Sequence, residues 1–379
     1  MEPIKKNMKK IGITGQEGFV GTHLNNTLKL FPNDYACVDY DRSFFSNNDL
    51  LDNFVVQCDV IVHLAAMNRH NDPELIYNTN IKLVKKLIGS LERTSSKAHI
   101  VFSSSSQENR DNPYGKSKKE GRFLLQRWAS SNGGSITGLI VPNVFGPFGN
   151  PYYNSVVATF SHQISHGEFP KIEIDGELKL IYVGELVSEI LNKAIERKNE
   201  PLYYVPHTAT CKVSKLLFLL KNYKEIYQDK GEIPKLNNIF ELNLFNTFRC
   251  YMDISNHFPV KLNQHTDPRG SFVEIIRLGI GGQVSFSTTK PGITRGNHFH
   301  TRKIERFAVI KGKALIQLRK IGSDEVLDFY LNGDEPAYVD MPIWYTHNIK
   351  NIGEDVLYTN FWINEPYNLE DADTFFEDV

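Results

Sequence analysis

The stretch Ile11-Gly12-Ile13-Thr14-Gly15-Gln16-Glu17-Gly18-Phe19-Val20-Gly21-Thr22-His23-Leu24 decides the reading of this chain. A short β-branched run at 11–14 meets three glycines spaced GxxGxxG, and a helical pattern begins near Val20. Between a strand and a helix each glycine has a task. Gly15 turns the chain, Gly18 admits a diphosphate against bare backbone, and Gly21 lets the helix pack on the strand, with the helix N-terminus facing the anion. The glycine triplet alone is weak evidence, and the strand before and helix after give it weight.

Working outward, β-branched runs at 11–14, 36–39, 60–64, 99–103 and 136–141 alternate with longer helical patterns. Leu75, Leu83, Val84, Leu87 and Leu91 keep helical spacing and predict a crossover helix. Buried strands joined by such helices predict an α/β fold, a Rossmann-like doubly wound parallel sheet, over residues 1–257. The second strand ends in Val38-Asp39-Tyr40-Asp41-Arg42, where the adenosine ribose of a dinucleotide should sit. Asp39 there favours the free 2′-hydroxyl of NAD, whereas Arg42 can pair with the 2′-phosphate of NADP. NADPH is the preferred cofactor; the plainer alternative is an ion pair of Arg42 with Asp39 or Asp41.

Tyr114-Gly115-Lys116-Ser117-Lys118 places a phenol and an ammonium one helical turn apart on one face. A cation in that position is expected to lower the phenol's pKa from about 10 and make it a proton donor near neutrality. The hydroxyl-rich run Val101-Phe102-Ser103-Ser104-Ser105 precedes it. A glycine loop, a serine-rich strand end and this pair together are far more specific than the pair alone.

From residue 258 to 379 the texture changes to short alternating strands with glycine and proline turns, at 270–276, 282–288, 307–310, 314–318, 327–330, 337–339 and 357–362. That spacing predicts an all-β sandwich or barrel of the jelly-roll kind. Within it, His298 and His300 stand at i and i+2, so both imidazoles can point to one face of a strand. Glu305 follows one strand later, and His347 comes from a paired strand. Three imidazoles and a carboxylate suit Zn, Mn, Fe or Ni; with no redox step required, Zn2+ leads.

Composition bounds the rest. The 379 residues allow about two domains. A net charge of -1 argues against a nucleic-acid partner or an anionic membrane surface. Cys37, Cys58, Cys211 and Cys250 form no CxxC pair and predict no disulfide framework, which fits a cytoplasmic protein. No run reaches the roughly 18 apolar residues of a membrane span.

The front motifs resemble the extended short-chain dehydrogenase/reductase family: TGQEGFVG at 14–21, HLAA at 63–66, FSSS at 102–105, YGKSK at 114–118 and PNVFGP at 142–147. The resemblance implies that Tyr114 is the general acid, that Lys118 binds the nicotinamide ribose and tunes Tyr114, and that Ser105 hydrogen-bonds the substrate carbonyl. It also implies cofactor contacts at Gly15, Gly18, Phe19, Val20, Gly21, Asp39, Arg42, Leu64, Ala65, Ala66 and Asn80. At the back, the spacing resembles the two cupin motifs, G(x)5HxH(x)4E(x)6G and PxG(x)2H(x)3N, with Trp344 in place of a glycine. Asp267-Pro268-Arg269-Gly270-Ser271-Phe272-Val273-Glu274 resembles a strand of cupin epimerases that act on 4-keto sugars. Asn143, Asn154 and Arg269 are the substrate-side candidates.

The order of the two motif sets resembles the CapF-type enzymes of bacterial capsular polysaccharide synthesis. That resemblance implies a homodimer with two activities on a UDP-linked 4-keto-6-deoxy amino sugar. The cupin would epimerise carbon 3 of a UDP-2-acetamido-2,6-dideoxy-4-ketohexose, and the first domain would reduce carbon 4 with NADPH to UDP-N-acetyl-6-deoxytalose. The chain departs from the pattern at Thr301, where a third consecutive histidine is usual, at Trp344, and at Ile140, where an arginine is common. A nucleotide-sugar 4-epimerase or dehydratase and a non-catalytic NADPH-sensing protein are the alternatives.

Overall fold

The structure is a computed structural model and describes residues 8–268 and 270–379. It divides into two compact units, Met1–Val156 with Gly176–Lys212, and Val157–Asp175 with Val213–Val379.

The first unit alternates strand and helix: β1 (Lys9–Thr14), α1 (Phe19–Leu30), β2 (Tyr35–Val38), α2 (Asn48–Gln57), β3 (Val60–His63), α3 (Pro73–Arg93), β4 (His99–Ser105), α4 (Pro113–Asn132) and β5 (Ser135–Val141). Local chemistry sets the helix ends. The Asp72 side chain accepts from Glu74 N and Leu75 N to start α3, with Pro73 in its first turn. Asn112 does the same for α4 through Gly115 N, and α4 stops at Gly133, whose φ is 60°. The strands lie parallel in the order β2-β1-β3-β4-β5, followed by the edge strand Glu200–Tyr204.

Both faces of this sheet are covered. Phe54, Val84, Leu87, Leu125 and Trp128 pack on one side, and Leu24, Leu28, Leu186 and Ile190 on the other. Each such side chain contributes about 1.5–3 kcal/mol by leaving water. The doubly wound parallel sheet is the one the sequence predicts. The winding reverses between β1 and β3, which neighbour each other while their helices depart to opposite sides, and a crevice opens at the carboxyl ends of these strands.

The second unit is built on two five-stranded antiparallel sheets. One runs Val260–Lys261, Ala337–Met341, Glu305–Lys311, Leu357–Ile363, Gln283–Thr289. The other runs Val326–Asn332, Lys313–Lys320, Tyr345–Asn351, Thr294–Phe299, Phe375–Phe376. Phe307, Val309 and Val339 of the first meet Ile316, Leu318 and Ile349 of the second in one core. The expected strand at 270–276 is shorter, Gly270–Val273, because it forms a separate hairpin with Gln264–Asp267. The expected boundary after residue 257 falls inside this unit. Tyr227, Asn246 and Arg249 explain why: they donate to Asp340, to the Arg302 carbonyl and to the Met341 carbonyl, tying the helical segment to the sheets.

Candidate functional site

The glycine loop sits at the carboxyl end of β1. Gly15 has a φ of 79°, and a Cβ there would lie 2.8 Å from Ala65 N, so this turn and the segment Leu64-Ala65-Ala66 after β3 touch directly. A Cβ on Gly21 would meet the Gly15 carbonyl oxygen at 2.2 Å, whereas on Gly18 the nearest atom is that oxygen at 3.2 Å. Gly21 is therefore a packing requirement and Gly18 the more open face of the loop. No side chain caps α1 and its first turn, Phe19-Val20-Gly21, carries no acid, which leaves its N-terminus suited to a diphosphate. The Gln16 amide donates to the Tyr40 carbonyl at 2.9 Å and ties the loop to the end of β2, next to exposed Asp39 and Arg42. The Asp41 carboxylate accepts from Ser43 N and caps a short helical turn.

Tyr114 and Lys118 both lie in the first turns of α4. The Lys118 ammonium is buried, 5.7 Å from the Tyr114 ring centre, and donates to the Ser103 carbonyl at 2.7 Å. Burial lowers its pKa to about 8. Burial also pushes the Tyr114 phenol up to about 12, reinforced by Tyr153. The phenol is thus raised rather than lowered, because burial disfavours the phenolate, and the ammonium expected to lower it is engaged by a carbonyl. Ser105 Oγ accepts from Gln107 N at 3.2 Å, which leaves its proton free to donate onward. Ser104 points to the other face, onto Glu108, whose carboxylate is forked by Arg122 at 2.8 Å. That separation favours Ser105 over Ser104 as the serine of the crevice.

Asn80 joins the parts. Its amide accepts from Met67 N at 2.7 Å, donates to Met67 O at 3.1 Å and donates to Ser117 Oγ at 2.9 Å; Ser117 in turn donates to the Tyr114 carbonyl at 2.7 Å. Asn80 therefore reaches the Tyr114 turn through Ser117. Asn143 is exposed at the start of a short strand and donates to Lys179 O, Asn154 is exposed in a bend, and Arg269 lies outside the described residues.

In the second unit His298, His300, Glu305 and His347 converge, one ligand atom from each lying within 4.8 Å of the others. His298 and His347 are register partners on one sheet, and Glu305 opens a strand of the other, so the cluster stands between the sheets. Glu305 Oε2 is 3.1 Å from Nε2 of His347, 3.1 Å from Nε2 of His300 and 4.0 Å from Nε2 of His298. The strand Thr294–Phe299 ends before His300, and Asn297, with a φ of 57°, marks a register shift that re-aims His298. Burial lowers His298 to about 4. Burial opposes ionisation of Glu305, yet the His300 and His347 rings hold its carboxyl well below the usual range.

The donor set fits a divalent cation. Nδ1 of His347 faces the Tyr345 carbonyl and Nδ1 of His300 the Asp373 carbonyl, so both rings turn Nε2 inward. His300 Nε2 is buried and faces Glu305 Oε2 at 3.1 Å without a well-aligned hydrogen bond among the described residues. Trp344, where a glycine was expected, holds a glycine-like φ of 62° and packs on Phe299 with ring centres 5.7 Å apart.

Two family models match the chain: the NAD dependent epimerase/dehydratase family over residues 11–201 and the polysaccharide biosynthesis C-terminal domain over 265–375. A UDP-2-acetamido-2,6-beta-L-arabino-hexul-4-ose reductase of Pseudomonas aeruginosa is 30% identical, across 97% of this chain and 98% of its own. The capsular polysaccharide assembling protein CapF of Staphylococcus aureus, a solved structure, is 35% identical with a TM-score of 0.61, covering 98% of this chain and 100% of its own. The chain is a CapF-type member of the NAD dependent epimerase/dehydratase family.

The spore coat polysaccharide biosynthesis protein SpsL of Bacillus subtilis is 28% identical over 123 residues, 30% of this chain and 82% of its own. Among the described residues of this CapF-type chain no helix is long and apolar enough to cross a membrane. Its sequence did not reveal Asp373 beside His300, nor His63, whose Nδ1 lies 2.7 Å from Thr14 Oγ1 and whose pKa burial, with the Lys118 charge, lowers to about 3. Asp373 belongs to no spaced motif, and His63, although it opens the HLAA run at 63–66, meets Thr14 only in the fold.

Proposed function

We propose that this chain is a two-site enzyme that acts on a UDP-2-acetamido-2,6-dideoxy-4-ketohexose, with NADPH and Zn2+ as cofactors. The observation that carries the proposal is the presence, in one chain, of the Tyr114–Lys118 pair, of a glycine loop in the same unit and of the His298, His300, Glu305 and His347 cluster. A nucleotide-linked 4-keto sugar engages both chemistries, since its carbonyl accepts hydride at carbon 4 and acidifies the proton on carbon 3. The similarity to a UDP-linked 4-ketohexose reductase supports that substrate class.

In the first unit the glycine loop at 15–21 would hold a nicotinamide dinucleotide, which would supply hydride to carbon 4. Tyr114 donates its hydroxyl proton to the carbonyl oxygen, so the ketone becomes an alcohol; Ser105 Oγ–H orients that oxygen, and Lys118 places positive charge beside it. In the second unit a bound divalent cation would supply Lewis-acid stabilisation of charge developing on the carbonyl oxygen. The three imidazoles and Glu305 would hold the ion.

The deciding experiment is NMR of the products from a UDP-2-acetamido-2,6-dideoxy-4-ketohexose in D2O, with and without NADPH. Deuterium at carbon 3 without NADPH, and a new proton at carbon 4 only with it, are the expected results. Exchange that persists after chelation removes the metal role, and a cofactor that cycles without net oxidation points to a 4-epimerase.

A further inference from the structure

His300 stands one residue past the end of the strand that carries His298, so the strand itself does not hold it. The holding comes from Asp373, a buried residue in the left-handed region with a φ of 42°. Its Oδ1 accepts from Thr301 N at 3.1 Å and from Thr301 Oγ1 at 2.6 Å. Its Oδ2 accepts from Arg302 N and Lys303 N, each at 3.1 Å. Three successive main-chain N–H groups around one carboxylate form a nest, the backbone's own anion site. The main-chain carbonyl of the same residue accepts from His300 Nδ1.

Neighbouring contacts fix the segment in place. The Lys303 ammonium donates to Ala372 O at 2.6 Å, and the Arg302 guanidinium reaches both Glu365 and Asp371. Phe375 and Phe376 then pair in register with Phe299 and His298. Thr301, the departure from the usual third histidine, supplies the hydroxyl that Asp373 binds; a histidine has none to offer.

We propose that Asp373 is a positioning residue of the metal centre, which locks the turn 301–303 with its side chain and orients His300 with its carbonyl. This proposal rests on the metal reading of the His298, His300, Glu305 and His347 cluster. With Nδ1 as donor, His300 keeps Nε2 as the lone-pair nitrogen directed at the cluster. The left-handed backbone of residue 373 is costly for a non-glycine residue and is held there by these contacts.

The test uses the full chain stripped of metal, with Zn2+ affinity read by competition against a chromophoric chelator and geometry read from the visible spectrum of the Co2+ form. Asp373→Ala is expected to weaken Zn2+ binding about 10–100-fold and to give a Co2+ spectrum like that of His300→Ala. The double variant should bind Zn2+ no more weakly than His300→Ala alone, because Asp373 acts through that ring. Thr301→Val, which removes one of the four bonds, should show a smaller loss in the same direction and carries the test if Asp373→Ala does not fold. Unchanged affinity in folded Asp373→Ala, or losses that add in the double variant, overturn the proposal. A native chain that binds neither Zn2+ nor Co2+ overturns instead the metal reading beneath it.

Discussion

The Lys118 ammonium donates to the main-chain carbonyl of Ser103 at 2.7 Å, two residues before Ser105 on the same strand. Side chains alternate along a strand, so Ser103 and Ser105 share one face and Phe102, over whose ring this ammonium lies at 5.2 Å, takes the other. Burial brings Lys118 to about 8 while Tyr114 stays a phenol up to about 12. Reduction of the ketone, followed as kcat/KM, should therefore fall as pH rises through about 8, through loss of the Lys118 charge. Lys118→Arg should move that limb above about pH 10 at a lower absolute rate. A native profile flat to pH 10 contradicts the assignment.

Tyr114→Phe removes the proton donor and leaves the Lys118–Ser103 bond in place. Carbonyl reduction should drop by about 10²–10⁴, while NADPH binding, read by fluorescence, stays within about threefold because the glycine loop is untouched. Equal losses in binding and turnover would instead mark Tyr114 as part of the cofactor's seat.

The two later loop glycines should separate by experiment. Gly21→Ala drives a Cβ into the Gly15 carbonyl at 2.2 Å and Gln16 Cα at 2.7 Å, both backbone, and should cost about 1–3 kcal/mol in urea unfolding. Gly18→Ala meets only one atom, at 3.2 Å, and should leave the unfolding midpoint nearly unchanged while weakening the dinucleotide. A destabilised Gly18→Ala with normal NADPH affinity would reverse the roles given to these positions.

Much of this was legible in the sequence because the determinants are local. Strand β1, the glycine turn and α1 are adjacent in the chain, and Tyr114 and Lys118 share one helix, so spacing alone places them. The four metal-ligand candidates follow motif spacing and do converge. What escaped depends on contacts between distant residues: Asp373 reaches back 73 positions to His300, and Tyr227 reaches 113 positions to Asp340. The phenol's pKa is raised and not lowered for the same reason, since spacing shows the cation but not the burial of the phenol.

Trp344 shows how a rule can be broken where packing offsets strain. Its φ of 62° costs a bulky residue about 1–3 kcal/mol, yet its buried ring lies against Phe299. Trp344→Ala loses the ring and keeps the strain, for a cost of about 3–5 kcal/mol. Trp344→Gly loses the ring but relaxes the backbone and should be less damaging, by about 1 kcal/mol. Urea titrations of both variants check this order, and a glycine variant weaker than the alanine one rejects it.

The buried charges behind the β unit set its response to acid. Arg306 and Asp340 pair at 2.7 and 2.9 Å, both almost wholly buried; Tyr227 adds a bond to Asp340 at 2.7 Å, and Arg306 also donates to Gly231 O. Burial alone would raise Asp340, but the Arg306 charge and hydrogen bonds win and hold it below its ordinary value. A carboxyl depressed on folding contributes stability above its unfolded pKa, near 4, and loses it as pH falls toward the folded value. Arg306→Met strands the carboxylate and should cost about 3–5 kcal/mol at neutral pH, whereas Tyr227→Phe leaves the ion pair and should cost about 1–2 kcal/mol. Because part of the cost of Arg306→Met is the isolated charge, which protonation removes, its deficit against the native chain should shrink as pH falls from neutrality. Urea midpoints for both chains at pH 7 and pH 3 decide the matter: a deficit that stays constant across that range would mean the pair acts through packing and not through charge.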